Sequence, residues 1–143
     1  MATVRQLLAH KGREVYFVEP EDPVLEAIEQ MAAKHVGALL VMKASELVGI
    51  VSERDYARKV ILLGRSSQET PVWQIMTSPV ITVGPDQSVA DCMRIMTDRR
   101  IRHLPVIDSG KQVTGVISIG DLVRAVIDEQ QQTIEQLESY IHR

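Results

Sequence analysis

The chain has little cysteine, few aromatics and no long apolar run, and each shortage excludes something. Cys92 is its single cysteine, so no internal disulfide can form and a reducing compartment is expected. Aromatic residues make up 3%, too few for a platform that stacks the bases of single-stranded nucleic acid. The longest apolar stretch, from Val36 to Met42, falls far short of the roughly 20 residues of a membrane-spanning helix. The opening residues, Met1 to Gln6, lack the charged-then-apolar order of a secretory signal, and a cytoplasmic location is expected. With 16 Lys+Arg against 19 Asp+Glu, the formal charge of −3 offers no general attraction to a polyanion, so neither nucleic acid nor a membrane is an expected partner.

Chemical motifs are scarce too. No glycine-rich phosphate cradle and no Gly-x-Ser-x-Gly nucleophile pattern occurs. His10, His35 and His142 are scattered without ligand spacing, so no metal site is expected. Cys92 falls on an apolar helix face and reads as a core thiol rather than a nucleophile. Met31, Met76, Met93 and Met96 read as core filling. No residue is assigned a catalytic role, and a non-enzymatic protein is expected.

What is present is globular: 45% hydrophobic and 24% charged residues over 143 positions. A chain of this size buries roughly 70% of the surface its unfolded form exposes and needs no staple. Shifting the sequence on itself by 65 residues aligns Val15, Val18, Pro20, Val24, Met31, Leu39 and Val41 with Val80, Val83, Pro85, Val89, Met96, Leu104 and Val106. One further residue in the later turn raises the offset to 66, and Gly49, Ser52, Asp55, Arg58, Val60 and Ile61 then meet Gly115, Ser118, Asp121, Arg124, Val126 and Ile127. The chain is a tandem duplication.

Each copy reads as β-α-β-β-α. A short β-rich run, Val15–Val18 or Val80–Val83, stops at a proline turn, and a helix follows with capping signals at Asp22-Pro23 and at Asp86. Its buried face is Val24, Ala27, Ile28 and Met31, or Val89, Cys92, Met93 and Met96. Two hairpin strands come next, Ala38–Met42 with Leu47–Val51 and Leu104–Ile107 with Val113–Ile117. The closing helices open at Ser52 and Ser118, the first stopping near Gly64. The expected class is α/β (α+β), with motif 1 and an N-terminal helix over 1–65, a linker over 66–79 pinned by Trp73, Ile75 and Met76, and motif 2 with a helical extension over 80–143. One unit of about 60 residues buries too little surface to be stable alone, so the two are expected to pack as a pseudo-twofold pair. Val123, Ile127, Ile134, Leu137 and Ile141 form an apolar seam on the last helix and imply a partner helix.

The sharpest signal is Gly49-Ile50-Val51-Ser52-Glu53-Arg54-Asp55, repeated as Gly115-Val116-Ile117-Ser118-Ile119-Gly120-Asp121 at a strand-to-helix junction. One reading is a helix cap, with Ser accepting an exposed N–H and Asp lying in the positive first turn. The other is a ligand site: the helix start offers donors to phosphate, and the carboxylate accepts ribose hydroxyls. The two can coexist.

These repeats, with Ile75-Met76-Thr77, Val83-Gly84-Pro85-Asp86-Gln87-Ser88-Val89 and Arg102-His103-Leu104-Pro105-Val106, make the chain resemble the CBS-domain family, as a stand-alone CBS pair or Bateman module over about residues 10 to 130. The resemblance implies a regulatory sensor that binds an adenosine-containing ligand (AMP, ADP, ATP, NAD or S-adenosylmethionine) between its motifs. It implies that Asp121 holds ribose hydroxyls, that Ser118 lies near ribose or phosphate, that Val80, Ile81 and Thr82 line the adenine pocket, and that Arg102 and His103, beside Pro105, face phosphate. Ser52, Arg54 and Asp55 would serve the first copy. There Phe17 stands for Thr82, and Gly37 and Ala38 stand for Arg102 and His103, so the second copy is expected to be the better site.

Arg94, Arg99, Arg100 and Arg102 form the one dense basic stretch, diluted by Asp91 and Asp98. Solvated helix-end cations and a phosphate clamp both fit it. The expected assembly is a homodimer, with a regulated protein as a possible further partner. The alternatives are a dimeric interaction protein with empty clefts and an S-adenosylmethionine-binding module.

Overall fold

The structure, a computed structural model, describes residues 2–142. Helix α1 spans Val4–Lys11, strand β1 Phe17–Val18, α2 Val24–Lys34, β2 Ala38–Lys43, β3 Glu46–Ser52 and α3 Glu53–Tyr56. After them come α4 (Val89–Arg99), β4 (His103–Ile107), β5 (Val113–Ser118) and α5 (Ile119–Ile141). The chain divides into two compact units: one is Val15–Ile81, and the other joins the segment up to Glu14 to the segment from Thr82 onward.

In the Val15–Ile81 unit, three strands lie in the order β1-β2-β3, with β1 parallel to β2 and β2 antiparallel to β3. Val24, Ala27 and Met31 recur at helical spacing on α2, so one face of that helix is buried with Leu39, Val41 and Val51 of the sheet. Thr70–Ile75 closes this core: the α2 amide of Val24 donates to Thr70 O at 2.8 Å, and Val72 and Ile75 are fully buried. Of the expected pins of the linker, Ile75 is fully buried and Trp73 is half exposed, and Val72 supplies the second buried anchor. The helix after Ser52 is not continuous to Gly64. Beyond Tyr56 it widens at Ala57–Ile61 into a turn with i to i+5 bonds, Leu62 N–H to Ala57 O at 3.0 Å and Arg65 N–H to Val60 O at 3.0 Å. Gly64, with φ 66°, ends it.

The other unit repeats this plan with a shorter sheet. β4 and β5 pair antiparallel, and the bulge at Val106/Ile107 matches that at Val41/Met42. The expected strand Val80–Val83 is reduced to a single parallel bridge, Val83 to Val106. A backbone difference explains the loss. Leu40 N–H donates to Tyr16 O at 3.1 Å, whereas its counterpart is Pro105, which has no N–H for Ile81. On α4, Val89, Cys92 and Met96 are buried. Its N-cap is Ser88, whose hydroxyl accepts the Asp91 N–H at 3.0 Å, not the expected Asp86. Asp86 instead pairs with Arg5 at 3.0 Å. Asp22 likewise does not cap α2: it accepts the Glu19 N–H at 2.8 Å, and Pro23 holds the cap position.

Helix α1 was expected beside motif 1, yet it packs in the unit of the second copy. Val4 N–H donates to Gln87 O at 2.9 Å, Arg5 N–H to Pro85 O at 2.8 Å, and Val89 N–H to Ala2 O at 2.9 Å. The segment Val4-Arg5-Gln6-Leu7-Leu8 corresponds to Val72-Trp73-Gln74-Ile75-Met76, so the repeat begins earlier than the 65-residue alignment reveals. Each leading segment seats on the body of the other copy. Two glycines admit them: a Cβ on Gly49 would lie 2.4 Å from Met76 Sδ, and one on Gly115 would lie 2.8 Å from Leu8 Cδ2. On α5 only Leu122 is buried. Val123, Ile127, Ile134, Leu137, Tyr140 and Ile141 are exposed, and that apolar seam is uncovered within the chain.

Candidate functional site

Both repeated junctions are built the same way. At the β5–α5 corner, Ser118 turns out of the strand with φ −105° and ψ 164° and caps the helix. Its hydroxyl accepts the Asp121 N–H at 3.2 Å, and Asp121 Oδ2 accepts the Ser118 N–H at 2.8 Å. At the β3–α3 corner, Ser52 Oγ accepts the Asp55 N–H at 3.2 Å, and Asp55 Oδ2 accepts both the Ser52 N–H at 3.0 Å and its hydroxyl at 3.1 Å. These are reciprocal capping boxes, with Asp in the role usually taken by Glu. The capping reading of the repeat is thus realised in both copies.

The same bonds limit what the helix start can offer a ligand. Ile119 N–H donates to Arg102 O at 2.9 Å and Glu53 N–H to Gly37 O at 3.0 Å. With the Ser118 and Asp121 amides also engaged, Gly120 N–H is the donor of the first turn of α5 left over from these three bonds. The carboxylate remains the versatile group. The Asp121 side chain is 12% exposed, and Lys11 of α1 places its ammonium 2.5 Å from Oδ2 and 2.6 Å from Val116 O. Burial pushes the Asp121 carboxyl up, but the hydrogen bonds from Lys11 and Ser118 outweigh it and hold the group below its ordinary range. Asp121 is therefore an ionised acceptor at neutral pH.

Register brings His103 to the same corner, because it pairs across the hairpin with Ser118. Burial lowers its pKa, and the nearby Lys11 and Arg102 add to this while Asp121 opposes it, so the imidazole is neutral at pH 7. Arg102 is exposed at the entrance to β4. Pro105 is buried and offers its carbonyl to Val83 N–H at 3.1 Å. Thr82 is exposed in the same unit, while Val80 and Ile81 belong to the other unit. In that other unit, Ala38 occupies the place of His103 opposite Ser52, and Lys59 approaches Asp55 Oδ1 at 3.2 Å. Arg54 is partly buried on the first turn of α3. Lys11 was absent from the sequence reading. The correspondence of Val4–Leu8 with Val72–Met76 would have marked its segment as part of the repeat, though not the pairing it makes.

Elsewhere, Arg94 pairs with Asp91 on the α4 surface at 2.9 Å. Cys92 is buried, and burial with the neighbouring Asp91 pushes its thiol up to about 11, an inert core group. Among the described residues no cluster of His, Cys, Asp or Glu has the makings of a metal site, and no helix is long and apolar enough to cross a membrane.

The chain matches the CBS domain family over residues 4–61 and 72–128, two segments whose starts coincide with the corresponding residues Val4 and Val72. It is 43% identical to the CBS domain-containing protein CBSX3, mitochondrial, of Arabidopsis thaliana, over 97% of this chain and 71% of that protein. A CBS-domain protein structure from Burkholderia ambifaria MC40-6 superimposes with a TM-score of 0.86 at 52% identity, covering 90% of this chain and 96% of that one. The CBS pair of protein MJ0100, solved with 5'-methylthioadenosine and S-adenosyl-L-methionine, shares the fold with a TM-score of 0.80 at 22% identity, covering 90% and 98%. The chain belongs to the CBS domain family and carries two CBS motifs, the arrangement of a regulatory module.

Proposed function

We propose that the chain is a non-catalytic sensor whose second-copy unit binds an adenosine-containing ligand, with AMP, ADP, ATP or NAD as the candidates and S-adenosylmethionine as the alternative. The observation that carries this reading is the ionised, 12% exposed Asp121 carboxylate set beside Ser118, His103 and the Gly120 amide. A carboxylate is an acceptor suited to ribose hydroxyls, and here Oδ1 is open while Oδ2 is held by Ser118 and Lys11. The neutral His103, Arg102 and the Gly120 N–H supply donors for phosphate, and Thr82 with Pro105 contributes wall. The adenosine ligands of the MJ0100 pair support the same ligand core. In the first-copy unit, Ser52, Arg54 and Asp55 form the corresponding corner, but Ala38 rather than a histidine faces Ser52, so it is the weaker candidate.

Binding would act by population shift, since a ligand seated at the start of α5 favours the arrangements in which that corner is formed. The uncovered apolar seam of α5 suits a second copy of the same helix, and a homodimer is the proposed assembly, with a regulated protein as a further partner. A single buried cysteine fits a reducing compartment such as the cytoplasm; the Arabidopsis relative's own name places that protein in mitochondria. The test is calorimetric titration with AMP and NAD. Asp121→Ala is expected to weaken binding at least tenfold, and Asp121→Asn, which keeps the shape of the cap, to weaken it as well. Unchanged affinity in both variants would defeat the assignment.

A further inference from the structure

The leader of the first copy reaches further than its counterpart. Seven positions separate Leu8 from Val15 and four separate Met76 from Val80, so the first leader has three residues more beyond its packing anchor. Helix α1 uses them to run on to Lys11 before Gly12, at φ 104°, turns the chain away. This extension delivers the Lys11 ammonium to Asp121 Oδ2 and Val116 O.

The consequence lies in how the Asp121 lone pairs are used. Oδ2 accepts from both Ser118 N–H and Lys11, which commits it. Oδ1 faces Arg124 at 3.9 Å, beyond hydrogen-bond distance, and remains open. A vicinal diol that bonds both oxygens therefore competes with Lys11 for Oδ2. The first copy is closed in a different way: Lys59, four residues along its own helix, sits on Asp55 Oδ1 and donates to Ile75 O at 2.9 Å. Only the second copy has its carboxylate held by a separate segment of chain.

We propose that Lys11 is a specificity-determining residue of the Asp121 site, holding the carboxylate until a phosphate ester takes over its ammonium, and so selecting phosphorylated adenosines over uncharged or cationic ones. An anionic ligand replaces the ion pair that it breaks, and with Lys11 and Arg124 facing the carboxylate, and Arg102 near the neighbouring His103, the local charge favours it. Adenosine breaks the same pair and offers nothing in return. S-adenosylmethionine adds a like charge. The inference rests on the reading that Asp121 receives ribose hydroxyls.

The experiment is calorimetric titration of the full chain and of Lys11→Met and Lys11→Arg with AMP, adenosine and S-adenosylmethionine, with circular dichroism melts as the check of folding and Lys11→Gln in reserve should the methionine variant not fold. The wild type is expected to favour AMP over adenosine at least tenfold. In Lys11→Met this ratio falls at least fivefold, because AMP loses affinity while adenosine gains it, and Lys11→Arg retains it. Equal wild-type affinity for AMP and adenosine, or an unchanged ratio in Lys11→Met, overturns the inference and leaves the Asp121 reading standing. Absence of binding by all three compounds to wild type and variant alike removes the Asp121 reading and the inference with it.

Discussion

Gly49→Ala is the substitution whose effect can be worked most directly from the structure. Its new Cβ would lie 2.4 Å from Met76 Sδ, 2.9 Å from Cγ and 3.2 Å from Cβ, so the whole methionine side chain must shift within a seat closed by the buried Val72 and Ile75. Overpacking of this kind costs about 1–3 kcal/mol. Met76→Ala alone removes a partly buried side chain and should cost near the lower end of the Met-to-Ala range, about 2 kcal/mol. In that background the added methyl meets no methionine, and Gly49→Ala becomes neutral or slightly stabilising, because alanine loses less backbone entropy in a strand than glycine by about 0.5–1 kcal/mol. The double-mutant cycle, measured by denaturant unfolding with fixed m-values, should therefore show coupling of about 1–3 kcal/mol. Additivity within about 0.5 kcal/mol would refute the seating of the second leader on β3.

Stability should fall as pH is lowered through two windows. His103 has a folded pKa below its ordinary 6.5, so from about pH 6.5 downward the unfolded chain takes up a proton that the folded one resists; His103→Gln should flatten that limb in urea titrations. Asp121, held below its ordinary 3.8, contributes stability that is complete above the carboxylate range and is lost as pH drops through its folded pKa, and Lys11→Met should shrink this second limb. Leu122→Ala, at the one fully buried position of α5, should cost about 2–5 kcal/mol in the same assay. Ile134→Asp with Leu137→Asp should leave the thermal midpoint of the monomeric core unchanged while reducing the mass seen by light scattering, since both side chains lie on the uncovered seam. Cys92, with its thiol pushed up to about 11, should react with a disulfide reagent at pH 8 at least a hundredfold more slowly in the native protein than in urea.

Much of the molecule was legible in the residues because it depends on local rules. Helical spacing at Val24-Ala27-Met31 and Val89-Cys92-Met96 reports a buried face whatever surrounds it. A serine three residues before an aspartate at the end of an apolar strand reports a cap, because the donors it satisfies belong to the same turn. The duplication carried both signals across the two copies; His103 was named through the family resemblance, and the hairpin register of the structure is what sets it opposite Ser118. By contrast, the loss of the strand at Val80–Val83 was written in Pro105, twenty-odd residues away, and could be seen only once the partner strand was known.

Sequence by itself determined the repeated β-α-β-β-α plan and the two capped corners, since each follows from contacts between near neighbours in the chain. Tertiary structure alone decided which body each leader joins, that Gly49 and Gly115 make room for Met76 and Leu8, and that Lys11 finds Asp121 across 110 positions. Those outcomes turn on surfaces and charges that meet only after the chain has folded, and no periodicity records which distant group will fill a gap or neutralise a carboxylate.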